Sequence, residues 1–162
     1  MNTTKKMTLD MNQNIGRTDK MEFVFNDGGR EASGRKGLAR DCVCRSISII
    51  TGYPYAEIYD ALANGNGTER GNKKKGFTAR NGIHTSRKWF KDFMKQLGFV
   101  WVPTMGIGTG CKVHLKSDEL PEGRLVVSVS KHYTAVIDGV IHDTHNPSRG
   151  GTRCVYGYWK RG

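Results

Sequence analysis

At 162 residues the chain is long enough to bury about two-thirds of its unfolded surface, so one domain can fold without staples. The composition is globular though polar and rich in glycine, with 21. No apolar run approaches the roughly 20 residues of a membrane span, and the N-terminus lacks a signal-peptide core; a soluble cytoplasmic protein is expected, with no membrane partner. Twenty-six Lys and Arg against 15 Asp and Glu leave a net charge of +11, a field that favours anionic partners such as nucleic acid or acidic protein surfaces.

Residues 1–20 are polar and without period, which predicts a flexible N-terminal arm ahead of a single domain over 21–162. Residues 21–25 alternate as a short strand, closed by the turn signal Asn26-Asp27-Gly28-Gly29. A basic, glycine-punctuated stretch then leads to Arg40-Asp41-Cys42-Val43-Cys44-Arg45. Asp41 is a suitable N-cap. Val43, Ile47 and Ile50 follow at i, i+4 and i+7, and Gly52 supplies a stop. A cysteine in the first turn of a helix meets free N–H groups and the positive end of the macrodipole, both of which favour thiolate. Cys42 holds that position. Cys44 lies about 200° further around the helix and faces elsewhere.

Pro54 suits the first turn of a second helix, whose apolar face is Tyr55, Ile58, Tyr59 and Leu62. Residues 64–82 are rich in glycine and lysine and predict a mobile loop. Ser86 or Thr85 is the expected cap of a third helix carrying Trp89, Phe90, Phe93, Met94 and Leu97, ended by Gly98. Residues 99–103 form a strand that stops at its proline. The Gly106, Gly108 and Gly110 pattern is wrong for a dinucleotide loop, and no helix signal follows it. Strands are then predicted over 124–130, 132–137, 140–144 and 153–159, with Asp138-Gly139 a strong two-residue hairpin signal. Helices followed by an antiparallel meander indicate the α+β class.

If Asp138-Gly139 is the turn, counting back pairs Ile137 with Val140, Val136 with Ile141, and Thr134 with Asp143. His132 shares a face with Thr134, so His132 and Asp143 are diagonal neighbours within side-chain reach. The alternative orienter, Asn146, falls on the reverse face. A cysteine at a helix start, a histidine on a later strand and a carboxylate behind it follow the logic of thiol hydrolases.

These segments, with Asn26-Asp27-Gly28-Gly29, Asp41-Cys42-Val43-Cys44-Arg45 and the run from His132 to Thr144, resemble papain-like cysteine peptidases in their compact phage and prophage forms. The resemblance covers about residues 22–159 and implies a papain-like domain with N-terminal helices packed on a C-terminal antiparallel sheet. It implies Cys42 as nucleophile, His132 as base and Asp143 as orienter, with no cofactor. The implied activity is that of a phage-type peptidase, isopeptidase or amidase in the cytoplasm of a bacterial host, acting on a protein or peptide, a host protein among the candidates. Such enzymes usually carry a glutamine shortly before the nucleophile; here Arg35, Lys36 and Gly37 stand there.

Two other classes compete. The four cysteines and His84, His114, His132, His142 and His145 would suffice for zinc, yet no CxxC pair occurs and the histidines are scattered, so no metal is expected. The four cysteines themselves are expected as free thiols. The Lys73–Arg80 loop, with Phe77 among its charges, and the lysine-rich face near Trp89 would hold phosphates weakly, which makes a basic nucleic-acid- or protein-binding module on a degenerate scaffold the alternative.

Overall fold

A computed structural model describes residues 21–35, 40–69 and 82–161. The expected arm over 1–20 and the Lys73–Arg80 loop lie outside the described residues. Among the described residues three helices, α1 (Cys42–Thr51), α2 (Tyr55–Gly67) and α3 (Lys88–Gln96), accompany six strands: β1 (Glu22–Phe25), β2 (Phe99–Pro103), β3 (Arg124–Val129), β4 (His132–Ile137), β5 (Val140–Asp143) and β6 (Val155–Arg161). The class is α+β. The strands form one sheet in the order β1-β5-β4-β3-β6-β2.

The hairpin between β4 and β5 has the register counted from its turn, pairing Ile137 with Val140 and Val136 with Ile141. Asp138 and Gly139 both take positive φ, 47° and 79°, which suits a tight turn matched to strand twist. The sheet is not wholly antiparallel, however. β1 runs parallel to β5, with Phe25 beside Asp143. A parallel pairing between strands so distant in sequence has no turn to announce it. The last strand also starts two residues later than the expected Arg153.

Both faces of the central strands are covered. On one, Val126, Tyr133, Ala135 and Trp159 meet the helices in a core that includes Val43, Ile47 and Ile50, the expected stripe of α1. On the other, Leu125, Val127, Val136 and Ile141 pack with Leu115 and Leu120. Burial on two sides explains why Leu125-Val126-Val127 is a continuous apolar run rather than an alternating one. α1 ends as expected: Gly52, at φ 77°, donates its N–H to Ser48 O at 2.9 Å.

Three expectations change. α2 continues through Asn64-Gly65-Asn66-Gly67, residues read above as the start of a loop. The cause is packing: a Cβ at Gly65 would lie 2.2 Å from the Trp89 ring, so glycine lets α3 approach, and Asn66 Nδ2 donates to Gly82 O at 3.2 Å. Trp89 Nε1 in turn donates to Glu69 Oε1 at 2.9 Å. α3 begins after Arg87 with no side-chain cap, rather than at Ser86 or Thr85. Finally, Cys111 and Cys154 are joined in a disulfide, Cα–Cα 5.8 Å across a separation of 43 residues, so free thiols remain at Cys42 and Cys44. Neither bridged cysteine lies in a named strand, although Cys154 forms an isolated bridge with His114. Spacing alone could not reveal that pairing, and the expectation of four free thiols is corrected to two.

Gly65→Ala tests the α2–α3 contact. Helix propensity alone would favour alanine by about 1 kcal/mol, but displacing Trp89 should reverse the sign and lower stability by about 1–3 kcal/mol. Thermal unfolding reads the result; a raised Tm would show that the ring yields freely.

Candidate active site

Cys42 is the first residue of α1, and His132 is the first residue of β4. α1 lies across β4, which brings the half-buried thiol to the imidazole. His132 and Cys42 are close enough for the imidazole and the thiol to shift one another's ionisation, and both line the same cleft. The other side of the ring meets β5: His132 Nε2 lies 2.7 Å from Asp143 Oδ2. With Nε2 engaged there, Nδ1 is the nitrogen left for Cys42. The three residues expected to act together are therefore contiguous.

Asp143 is buried and fully partnered. Thr134 Oγ1 donates to its Oδ2 at 2.8 Å, and the Thr144 N–H donates to its Oδ1 at 2.7 Å. Arg45 Nη2 stands 3.5 Å from Oδ1. The Asn26 N–H donates to the Asp143 carbonyl at 2.8 Å, so the turn after β1 closes on the same residue. That turn seats against α1 itself. Gly28 takes φ 71°, and a Cβ there would lie 2.9 Å from the Arg45 carbonyl oxygen. Asn146 serves locally, accepting from the Ser148 N–H at 3.0 Å.

Arg45 was not singled out above, although its i, i+4 spacing from Asp41 was a visible signal. Its guanidinium pairs with Asp41 as well as with Asp143. Asp41 departs from expectation. Its carboxylate makes no capping bond to α1; it pairs with Arg45, with Arg30 Nε at 3.3 Å, and accepts from Tyr55 Oη at 2.6 Å. Three partners of this strength outcompete backbone N–H groups, and the first turn of α1 is left without a side-chain cap. Arg35 places its guanidinium 3.5 Å from the centroid of the Tyr59 ring. Lys36 and Gly37 lie outside the described residues.

The electrostatics separate the two free thiols. Burial pushes the Cys42 thiol up, but the hydrogen bond and charge of His132 outweigh it and hold the group below the usual thiol range. Cys44 is buried, its sulfur 3.8 Å from Tyr55 O, and burial with the Asp41 charge raises it to about 12. Burial would lower His132, yet its bonds to Asp143 and Cys42 raise it to about 9. Asp143 is pushed up by burial but held below its ordinary value chiefly by His132.

Cys42 and His132 line a cleft of about 380 Å³ whose walls include Ile83, Thr85, Tyr133 and Tyr156. Exposed His145 lies against the imidazole, with ring centroids 4.9 Å apart and planes tilted by 48°. His132, Asp143 and His145 offer donor atoms within 4.8 Å of one another, but the closest two, on His132 and Asp143, are engaged with each other. No cysteine joins that group. No protein-family model, curated protein or solved structure matches the chain.

Arg45→Met removes the cation shared by two buried carboxylates. It should cost about 3 kcal/mol in urea unfolding, because breaking a buried pair strands a charge. A loss below about 0.5 kcal/mol would mean that the remaining partners of Asp41 and Asp143 suffice.

Proposed function

We propose that this chain is a thiol-dependent acyl hydrolase of papain-like architecture, with Cys42 as nucleophile, His132 as proton carrier and Asp143 as the residue that positions the imidazole. The reading is carried by one observation: Cys42, at the N-terminus of a buried helix, shares a cleft with His132, whose Nε2 is hydrogen-bonded to buried Asp143. Peptidase, isopeptidase and amidase chemistry all fit this arrangement, and a phage-encoded enzyme acting on a host protein is the setting that the resemblance in the sequence favours.

The shifts of Cys42 and His132 run in opposite directions, which favours a thiolate–imidazolium pair as the reacting form. Sγ attacks the acyl carbon, and the carbonyl oxygen takes the developing charge. The uncapped N–H groups of the first turn of α1 are suited to receive it, which offers a substitute for the missing glutamine. Collapse breaks the bond to the leaving group, and the Nδ1 proton of His132 passes to that group. A thioester remains and His132 is neutral. Water then gives a proton to His132 as its oxygen joins the acyl carbon; the C–S bond breaks and the ion pair returns. Through both halves Asp143 fixes the ring and stabilises its cationic form.

Alkylation checks the assignment. Iodoacetamide at pH 6–7 should modify Cys42 well before Cys44, because the folded Cys42 pKa is lowered whereas that of Cys44 is raised. The Cys42 rate should fall with pH only below its lowered pKa, and His132→Ala should move that fall upward and slow labelling at pH 6–7 by about tenfold or more. Asp143→Asn should slow it less, since the carboxylate acts through the ring. Prior labelling of Cys44, or an unchanged Cys42 rate in His132→Ala, would remove the dyad and leave the basic binding module as the better reading.

A further inference from the structure

The mouth of the Cys42 cleft is lined by two exposed cations, Arg40 and Lys131, and no carboxylate lines it among the described residues. The closest acids in the fold do not offset them. Asp41 is consumed by Arg30, Arg45 and Tyr55, and Asp143 by His132, Thr134 and Arg45. The N-terminus of α1 adds partial positive charge at the floor. The remaining walls are neutral, with Ile83, Val129 and Tyr133 apolar or aromatic.

Lys131 is held there at a conformational cost. It occupies the two-residue connection between β3 and β4, where Val129 pairs with His132, and its φ is 56°. A left-handed backbone disfavours lysine relative to glycine or asparagine by about 1 kcal/mol. The turn is braced by Arg153, whose guanidinium donates to the Ser130 carbonyl. A left-handed residue suits a two-residue hairpin, but it need not be lysine; that choice, with the Arg153 brace, fixes a cation one residue before the base.

We propose that the cleft selects acidic acyl substrates, peptides with Asp or Glu beside the scissile carbonyl, whose carboxylate is received by Lys131 and Arg40. The inference rests on the thiol-hydrolase reading of Cys42. A peptide is favoured over a nucleic acid because a cleft of about 380 Å³ with an apolar wall takes a few residues of extended chain, and because the nucleophile at its floor needs an acyl carbon.

Two alkylating reagents that differ in charge test this on the full chain. The ratio of iodoacetate to iodoacetamide rates at Cys42, mapped by mass spectrometry, should exceed that of free cysteine by about three- to tenfold at low salt. It should collapse at about 1 M salt, where screening acts within about 3 Å. Lys131→Asp keeps a residue that tolerates the left-handed turn and should lower the ratio; Arg40→Glu, at a separate site, should do the same. Comparing rates as a ratio cancels any shared change in thiolate fraction. A ratio equal to that of free cysteine, or one indifferent to both variants while Cys42 remains the fast thiol, overturns the acidic-substrate proposal and leaves the hydrolase reading standing. A Cys42 slow toward both reagents overturns the hydrolase reading, and this proposal with it. In a second arm, a short Glu-rich peptide should protect Cys42 from iodoacetamide where its Lys-rich counterpart does not. Protection by an oligothymidylate without protection by the Glu-rich peptide would assign the cleft to nucleic acid and overturn the proposal.

Discussion

The burial of the Asp143 carboxylate constrains more of this structure than any other interaction. An ionised carboxylate in a protein interior is costly unless each oxygen finds donors. Here Oδ2 meets His132 and Thr134, while Oδ1 meets the Thr144 N–H and the edge of Arg45. Those donors come from β4, from the end of β5 and from α1, and the Asp143 backbone carbonyl adds the turn after β1. The requirement to satisfy one acid therefore fixes how a helix, a hairpin and an edge strand meet. His132 is the donor with a second free nitrogen, so the same satisfaction leaves that nitrogen facing Cys42.

Asp41 shows how a small change of partners alters the chemistry available at a helix end. As a conventional cap it would occupy N–H groups of the first turn and set its negative charge beside the nucleophile. Drawn instead toward Arg30, Arg45 and Tyr55, it has its charge compensated and leaves those N–H groups open. Both effects favour an anion at the start of α1. Arg45 joins the two acids, and its backbone is the surface on which Gly28 rests, so the helix and the glycine turn hold their spacing through a single residue.

What the sequence disclosed depended on the range of each signal. The His132–Asp143 juxtaposition could be counted because Asp138-Gly139 announces its turn, and a turn sets the register of every residue that follows on two strands. The stripe of α1 and its glycine stop were equally local. Apart from Arg45, four residues from Asp41, and the start of α3, the misses have partners remote in sequence. Gly65 reads as a helix breaker until Trp89 is placed against it. The parallel pairing of β1 with β5 has no connecting turn, and the Cys111–Cys154 pairing had competitors among four cysteines. Asp41 was recognised as a helix-start residue, but its preference for Arg30 and Tyr55 could not be seen from a position 11 or 14 residues away. The α+β class was legible in the order of the elements, with helices ahead of a run of strands.

Two thiols two residues apart share one helix, one solvent and nearly the same set of charges, yet they are driven in opposite directions. Intrinsic cysteine chemistry cannot account for this, and neither can burial, since it opposes ionisation of both. The rotation between them decides it. About 200° of helix turns Cys44 toward the core, where burial and the Asp41 charge disfavour the anion, and turns Cys42 toward a histidine already held cationic by a buried acid. Reactivity at this site is then a property of which helix face meets β4. A register shift of α1 by a single residue would move Cys42 about 100° off the imidazole without removing any of the groups concerned. The packing of Val43, Ile47 and Ile50 against the sheet, which fixes that rotation, is as much a condition of the proposed chemistry as His132 itself.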